Sequence, residues 1–480
     1  MSVSPPTVPP RADMAKAPVR IGAVVGFLGF VELVSGIFQG FMPPLLPSIA
    51  ALHHVSPGDI GLVTSLQLLA GAVCIPTLTK LGDMYGHRLM LRVSLAFVVV
   101  GSVLVTFAPS YELLLLGRIL TGPQLAWLPL NIAITRDKVQ GDQGRRAIGL
   151  LIGCLTAGVT IGSLMAGFAE DHLGGVRPAL SVLLVLTVLA LVCAFFLVPE
   201  TSTRMRQRID TLGFVGLGLA LLLLQYGLSQ TSKLGWGSST VLGCLFAGLL
   251  VLAAWAWWEL RTPEPAIDLR VVGHRSMWPV LVSAMLFAIA LFGSQAPDST
   301  FLATDSDAAG YGFGQDTTAI ALTTLPMQVA AVIGASLHAR TAARIGLHRT
   351  IAWGAALLSA GYGMLCVLNG SVTSFMVSVT FVGLGIGLMS GAFPSLVAER
   401  SPRGQTAVAA GIYNTVRTLA GGVAGGLFAV VLSSVLLANS PLPSLTAYRI
   451  VWLTCALSGL LAACLILFAR RRSADEILQP

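Results

Sequence analysis

The chain has 480 residues and a formal net charge of +8, with 10% charged side chains against 55% hydrophobic ones; its mean hydropathy is +0.82. A soluble domain carries about a quarter charged residues, so composition excludes a soluble protein. The basic residues sit in short loops between apolar runs, which argues against the one-sided basic face of a nucleic-acid binder. Runs of about 18 or more apolar residues point to membrane helices instead.

Residues 1–20 are Pro-rich and basic and read as a disordered cytoplasmic tail. The apolar run that follows continues to about Met42 without a small-x-small cleavage site, so it reads as an uncleaved first helix. Fourteen apolar segments are centred near residues 31, 69, 99, 123, 157, 188, 220, 249, 287, 328, 359, 383, 420 and 458. With the amino terminus in the cytoplasm, 24 of the 29 Lys and Arg residues fall in the tails and the even-numbered loops. Only Arg177, Lys233 and Arg449 fall outside, while Arg118 and Arg417 lie within segments. That asymmetry satisfies the positive-inside rule, and both termini are expected in the cytoplasm of a cell-membrane protein.

Removing the two segments between residues 200 and 274 leaves two six-segment blocks, 21–199 and 275–470, with a second tail at 471–480. Their loops echo one another, "DMYGHR" between segments 2 and 3 and "ARIGLHR" between segments 10 and 11. Weak internal repetition of this kind is typical of secondary transporters, whose halves rock about a central site. The competing reading is that every short cytoplasmic loop is basic and holds a glycine.

The stretch "TKLGDMYGHRLML", residues 79–91, concentrates mixed charge between two apolar runs. Gly86 is suited to a sharp turn with positive φ. Asp83 needs a basic partner or a helix N-terminus; if the partner belongs to the other block, the contact holds one conformation shut. The stretch resembles the loop signature of the major facilitator superfamily, G-x-L-A-D-R-x-G-R-K-x-x-L, through Leu81, Asp83, Gly86, Arg88 and Leu91. Thr79, Gly82 and Met84 depart from it. "LGRILTG" resembles the superfamily's R-x-x-x-G motif with Arg118 and Gly122. Gly149, Gly158, Gly162 and Gly167 resemble the glycine spacing of its antiporter motif, where Ser163 replaces a proline and Ala166 a glycine.

Fourteen segments, the insertion near Asp210 and "GIYNTVRTLAGGVAGG" resemble the drug:proton antiporter branch. The resemblance implies an all-α membrane protein with the major facilitator fold: two six-helix bundles, two extra central helices, fourteen transmembrane helices. It implies a cytoplasmic latch between the halves at Asp83, Gly86 and Arg88, and proton-coupled efflux of lipophilic or cationic compounds. An importer or narrow-substrate exporter stays open because the antiporter proline is missing. A non-transporting sensor is the other alternative.

A charge at mid-membrane costs about 2.5–3.5 kcal/mol even on lenient scales, so intramembrane charges are functional candidates. Glu32, between Val31 and Leu33, is the first candidate for proton coupling, with Arg118 as its partner. The competing reading is a static Glu–Arg pair between helices. Asp298, near the outer end of segment 9, is a further coupling candidate or a boundary residue. Gln124, Asn131, Asn414 and Arg417 are candidates for the substrate cavity, as are Gln67, Gln328 and Tyr413, though each amide also suits a helix–helix hydrogen bond.

Trp255, Trp257 and Trp258 read as an interfacial belt. The seven cysteines lie inside apolar runs without metal or disulfide spacing. His53 and His54 make a poor metal site, "GYGFGQD" follows no strand, and no G-x-x-x-x-G-K-[ST] occurs, so neither ATP hydrolysis nor a cofactor is expected. The partners expected are a small-molecule substrate, protons and the bilayer; one chain holding both halves suffices as a monomer.

Overall fold

The computed structural model describes residues 21–139, 141–198, 209–401, 406–438 and 440–477. The tail at 1–20 and the Arg204, Arg206 and Arg208 stretch lie outside the described residues, as do the side chains of Arg145 and Arg470 to Arg472. Among the described residues, fourteen helices are long and apolar enough to cross a membrane, and each contains one of the fourteen predicted centres. In chain order the first six are α1 (Val25–His53), α2 (Gly61–Tyr85), α3 (His87–Phe107), α4 (Tyr111–Lys138), α5 (Arg146–Leu173) and α6 (Val176–Phe196). The insertion supplies α7 (Thr211–Thr231) and α8 (Ser239–Arg261). The last six are α9 (Trp278–Ala303), α10 (Thr317–Ile345), α11 (Leu347–Val367), α12 (Val372–Arg400), α13 (Val408–Ser434) and α14 (Leu445–Ala469).

Two boundaries differ from the sequence reading. The first helix continues past Met42 through Pro43, Pro44 and Pro47 to His53; neighbouring helices re-satisfy the backbone groups that proline frees inside a membrane bundle. The last helix continues to Ile477, into the segment read as a tail.

The two blocks pack alike. In the first, α1 touches α5 and α6, α3 touches α4 and α6, and α2 touches α4; in the second, α9 touches α13 and α14, α11 touches α12 and α14, and α10 touches α12. The connections repeat as well: Gly86 (φ 112°) alone joins α2 to α3, and Gly346 (φ 85°) alone joins α10 to α11. Both positions demand the positive φ that glycine adopts without cost. The halves meet through α2 against α13 and α5 against α10, and α7 leans on α2 and α13 from outside.

Within the first half, α1 and α5 approach backbone to backbone. A side-chain carbon at Gly36 would strike the Leu155 carbonyl and Gly158; at Gly158, the Leu33 carbonyl; at Gly162, the backbone of Ile37. Without hydrophobic drive between helices in lipid, this closeness and the dispersion it permits hold the pair together. Gly167 sits instead against Thr318 of α10, across the halves, and Gly149 faces open space. Gly149 is therefore not a packing glycine in this conformation.

Among the described residues, contacts between the halves gather at one face. Opposite the even-numbered, basic connections, the Thr317 hydroxyl bonds Glu170 Oε2, Thr318 Oγ1 donates to Asp171 Oδ2 at 2.5 Å, and Ser48 Oγ lies 3.1 Å from Thr317 Oγ1. Gly58 and Gly61 of the α2 end abut Ser433 and Ala429 of α13 there. Toward the basic face, Gly26, Gly149, Gly153 and Gly411 meet nothing.

Gly158→Leu or Gly162→Leu is expected to lower the melting temperature of the detergent-purified chain by about 5 °C or more through overpacking. Gly149→Leu should leave it within about 1 °C. Equal shifts at all three positions would mean that the α1–α5 contact is not as close as described.

Candidate functional site

The α2–α3 connection places its charges within the first half. Asp83 Oδ1 pairs with His87 Nε2 at 3.1 Å, one helical turn on. Arg88 donates to the Phe195 carbonyl at 2.8 Å and Arg92 to the Ala194 carbonyl at 3.1 Å. These carbonyls end α6, where cations meet the negative end of the helix dipole. Lys80 Nζ reaches the carbonyls of Glu264 and Pro265, at 3.3 and 3.4 Å, in the strand of chain leaving the insertion. The ion pair of Asp83 is thus local to its own loop, and in this conformation it does not join the two halves.

Glu32 is fully buried on α1. Its Oε1 accepts from Asn131 Nδ2 at 2.6 Å, and its Oε2 has no partner. Arg118 is 1% exposed on α4. Its Nε donates to the Val63 carbonyl at 3.0 Å, its Nη2 to Gln67 Oε1, and its Nη1 has no partner. The expected pairing of the two is absent: the salt bridges among the described residues are His87–Asp83 and Lys138–Asp137.

Arg118 instead heads a chain of amides. Gln67 Nε2 donates to Gln124 Oε1 at 3.1 Å, and Gln124 Nε2 donates to the Ser35 carbonyl at 2.8 Å and to its hydroxyl at 3.1 Å. Ser35 lies three residues beyond Glu32 on the same helix. Local structure makes this reach. A 3₁₀ segment, Gly122–Ala126, interrupts α4 between Arg118 and Asn131, carrying Pro123 at its start. Its tighter winding rotates Gln124 relative to an unbroken α-helix, and short non-α segments inside long helices often mark functional positions.

The second half carries the matching irregularity. A π segment, Ile289–Gly293, interrupts α9 and bears Phe292. Beyond it Asp298, 9% exposed, accepts from Trp452 Nε1 of α14 at 2.9 Å. Nearby Ser294 and Tyr362 share a hydroxyl contact of 2.6 Å. Asp298 is therefore a core residue of the second half and not a boundary carboxylate. Arg417 of α13 lies over Phe292 at 5.6 Å and over Tyr413 at 5.4 Å, and its Nε has no partner. Asn414 is half-buried one turn earlier.

Between the halves lies a cavity of about 40 Å³, walled by Phe38, Gln39 and Met42 of α1, Gln67 of α2, Arg118 of α4, and Phe292 and Gln295 of α9. Its size suits a water and not a drug-sized ligand, so cargo requires the halves to part. Of the residues expected to line it, Gln67 does so, while Gln124 and Asn131 stand behind it, spent on Ser35 and Glu32; Arg118, expected in proton coupling, also forms part of the wall. Arg417 adjoins it through Phe292. Sequence reasoning missed Phe292, Gln295 and Ser35: a phenylalanine or serine in an apolar helix carries no signal until the helix rotation is known.

The tryptophans of α8 divide. Trp257 is exposed under Arg261, at 4.2 Å. Trp258 donates to Asp210 Oδ1 at 3.0 Å, so it fastens α8 to the start of α7 as well as belonging to a belt.

The family model of the Major Facilitator Superfamily matches residues 28–425. An uncharacterised MFS-type transporter of Mycobacterium tuberculosis is 26% identical over 390 residues, 80% of this chain but 56% of that protein, so the chain spans little more than half of that relative's length. The tetracenomycin C resistance and export protein of Streptomyces glaucescens is 25% identical over 81% of this chain and 71% of its own. Among solved structures, the nucleoside transporter NupG superposes with a TM-score of 0.65 at 12% identity, covering 94% of this chain and 99% of that one; at this identity the likeness shows the fold. With its fourteen membrane-crossing helices, this multi-pass membrane protein belongs to the Major Facilitator Superfamily, a family of transporters and not of enzymes.

Proposed function

We propose that the chain is a secondary active transporter of the cell membrane that exchanges protons for lipophilic small molecules by alternating access, with its basic face in the cytoplasm. The observation that carries this reading is Glu32: a fully buried carboxyl group with one oxygen unpartnered and only a neutral amide on the other. Ionised, it is a buried charge without a counter-ion; proton uptake removes that charge, so the group answers to a proton gradient. The contacts between the halves at the face opposite the basic connections are what one of the two end states of such a cycle needs. The export of tetracenomycin C by a relative supports the outward direction.

Asp83, Gly86 and Arg88 retain the role of a latch in the other end state, when the basic faces approach and the Asp83–His87 pair is free to exchange partners. Asp298, held by Trp452, is the second proton site to examine. Import by proton symport is the second reading. Ser163 stands where the antiporter motif has proline and is buried with its hydroxyl unpartnered, while α5 runs unbroken through it.

Substrate-dependent proton movement in proteoliposomes tests the reading. Wild type is expected to move protons opposite to a lipophilic cargo, and Glu32→Gln to lose that movement by about tenfold or more while still binding cargo. Proton movement with the cargo assigns import; undiminished coupling in Glu32→Gln removes Glu32 from the mechanism.

Alternating access has its own test at the closed face. With Glu170→Cys and Thr317→Cys, a short bis-methanethiosulfonate reagent, which loses methanesulfinate as each disulfide forms, is expected to join α5 to α10 and abolish transport, and reduction of the link by dithiothreitol to restore it. Transport at the wild-type rate through the linked protein would show that this face does not open.

A further inference from the structure

The charge balance inside the bundle is one-sided, and it bears on the class of cargo; the inference rests on the transport reading above. Glu170 and Asp171 end α5 at the closed face, on threonine hydroxyls; deeper in the bundle lie two carboxylates, Glu32 and Asp298, and two guanidiniums, Arg118 and Arg417. Both carboxylates are matched to neutral donors of their own halves, Glu32 to Asn131 and Asp298 to Trp452. Neither guanidinium has a carboxylate within 4.0 Å among the described residues. Arg118 is 1% exposed, forms part of the cavity wall, and keeps Nη1 without a partner. Arg417 adjoins the same cavity through Phe292 and keeps Nε without a partner.

A buried cation with an unsatisfied donor, as Arg118 is, is costly unless something supplies the anion; Arg417 is half-buried. The aromatic rings of the wall add a second constraint. An organic cation is ordinarily held over aromatic faces, but the Phe38 ring already lies 5.7 Å from the Arg118 guanidinium and the Phe292 ring 5.6 Å from that of Arg417. A cationic cargo would meet two fixed positive charges at the surfaces suited to bind it. A carboxylate or sulfonate would meet the unpartnered Nη1 of Arg118 and Nε of Arg417 as charge-assisted donors, with the rings, Met42 and the neutral amides of Gln39 and Gln295 left for an apolar body.

We propose that the cargo is an amphipathic organic anion, an aromatic or aliphatic body bearing a carboxylate or sulfonate, whose charged group is taken by Arg118 from one half and Arg417 from the other. Because α4 and α13 belong to different halves, the anion also joins them: its departure removes the charge that holds the two guanidiniums at a common site. Inorganic anions share the chemistry of the charged group but lack the body the wall accommodates.

The test compares matched probes on the detergent-purified full chain: naphthalene-2-acetate, naphthalene-2-sulfonate, the methyl ester of the first, 2-naphthylethylammonium, and sodium chloride at equal ionic strength. Thermal stabilisation by the carboxylate and sulfonate is expected, with the ester, the ammonium and chloride at least about tenfold weaker. Arg118→Gln and Arg417→Gln should each weaken the anions by about tenfold or more and leave the ester unchanged. Among the described residues Arg417 makes no hydrogen bond to another helix, so its variant reports even if Arg118→Gln fails to fold.

Stabilisation by the ammonium equal to that by the anions overturns the proposal, as does chloride matching them or no response to either anion. Proton exchange with a cation that depends on Glu32 would overturn it while leaving the coupling reading intact. Anion binding without proton movement would do the reverse.

Discussion

In hydrocarbon every backbone N–H and C=O must be bonded within the protein, and the rest of this molecule follows from that requirement. It makes each crossing segment a helix and leaves side chains to do everything else. It also removes the usual drive for association, since a leucine in lipid gains little by touching another leucine. Close approach has to come from glycine, as at Gly36, Gly158 and Gly162, where the α1 and α5 backbones touch. A helix that departs from regular α geometry then needs a reason to be tolerated. The 3₁₀ turn at Gly122–Ala126 and the π turn at Ile289–Gly293 both sit beside the cavity, where other polar groups are available.

The parts legible in the sequence are those set by length and local chemistry. Fourteen apolar runs gave fourteen helices because span length is fixed by bilayer thickness, and the sharp turn expected at Gly86 is present because glycine takes a positive φ without strain, with Gly346 in the echoing loop doing the same. Charges buried at depth were equally plain: Glu32 and Arg118 stand out against their neighbours. What the sequence did not hold was the rotation of each helix about its axis. That angle decides whether Asn131 faces the cavity or Glu32, and whether Arg118 meets a carboxylate or a glutamine. It is set by packing between segments 50 to 100 residues apart, and no local pattern encodes it. The end of α1 differs for a simpler reason: the apolar run stops near Met42, but the helix is carried on through Pro43, Pro44 and Pro47 to His53 in a bundle.

The repeated architecture makes the two seams equivalent. Exchanging the halves maps α2 on α13 into α10 on α5, so a rocking motion opens both seams at one face while closing both at the other. In this conformation the contacts that would have to break lie together, opposite the basic loops: hydroxyls of α10 on the carboxylates of α5, and glycines of α2 on α13. Hydroxyl–carboxylate contacts of this kind are suited to a gate because each partner finds water when they separate, which keeps the two end states close in free energy. A buried salt bridge in the same place would bias the equilibrium far more strongly.

The same economy governs how a proton and a cargo could sense each other. Glu32 and Arg118 do not touch, but both act on α1: Glu32 belongs to it, and Arg118 reaches Ser35 of the same helix through Gln67 and Gln124. Amides are well placed for such a relay because each donates and accepts at once, so a change in what Arg118 demands of Gln67 is passed on as a change in what Gln124 offers Ser35. On the proposed reading, an anion at Arg118 competes with Gln67 for the guanidinium and loosens this chain, while proton loss at Glu32 sharpens its call on Asn131. Both events bear on where α4 holds α1, and α1 is the helix whose far end meets α10 at Ser48 and Thr317. Coupling then requires no direct ion pair: a shared helix, anchored by amides at its middle and by a hydroxyl at its gate, carries the linkage between charge and opening.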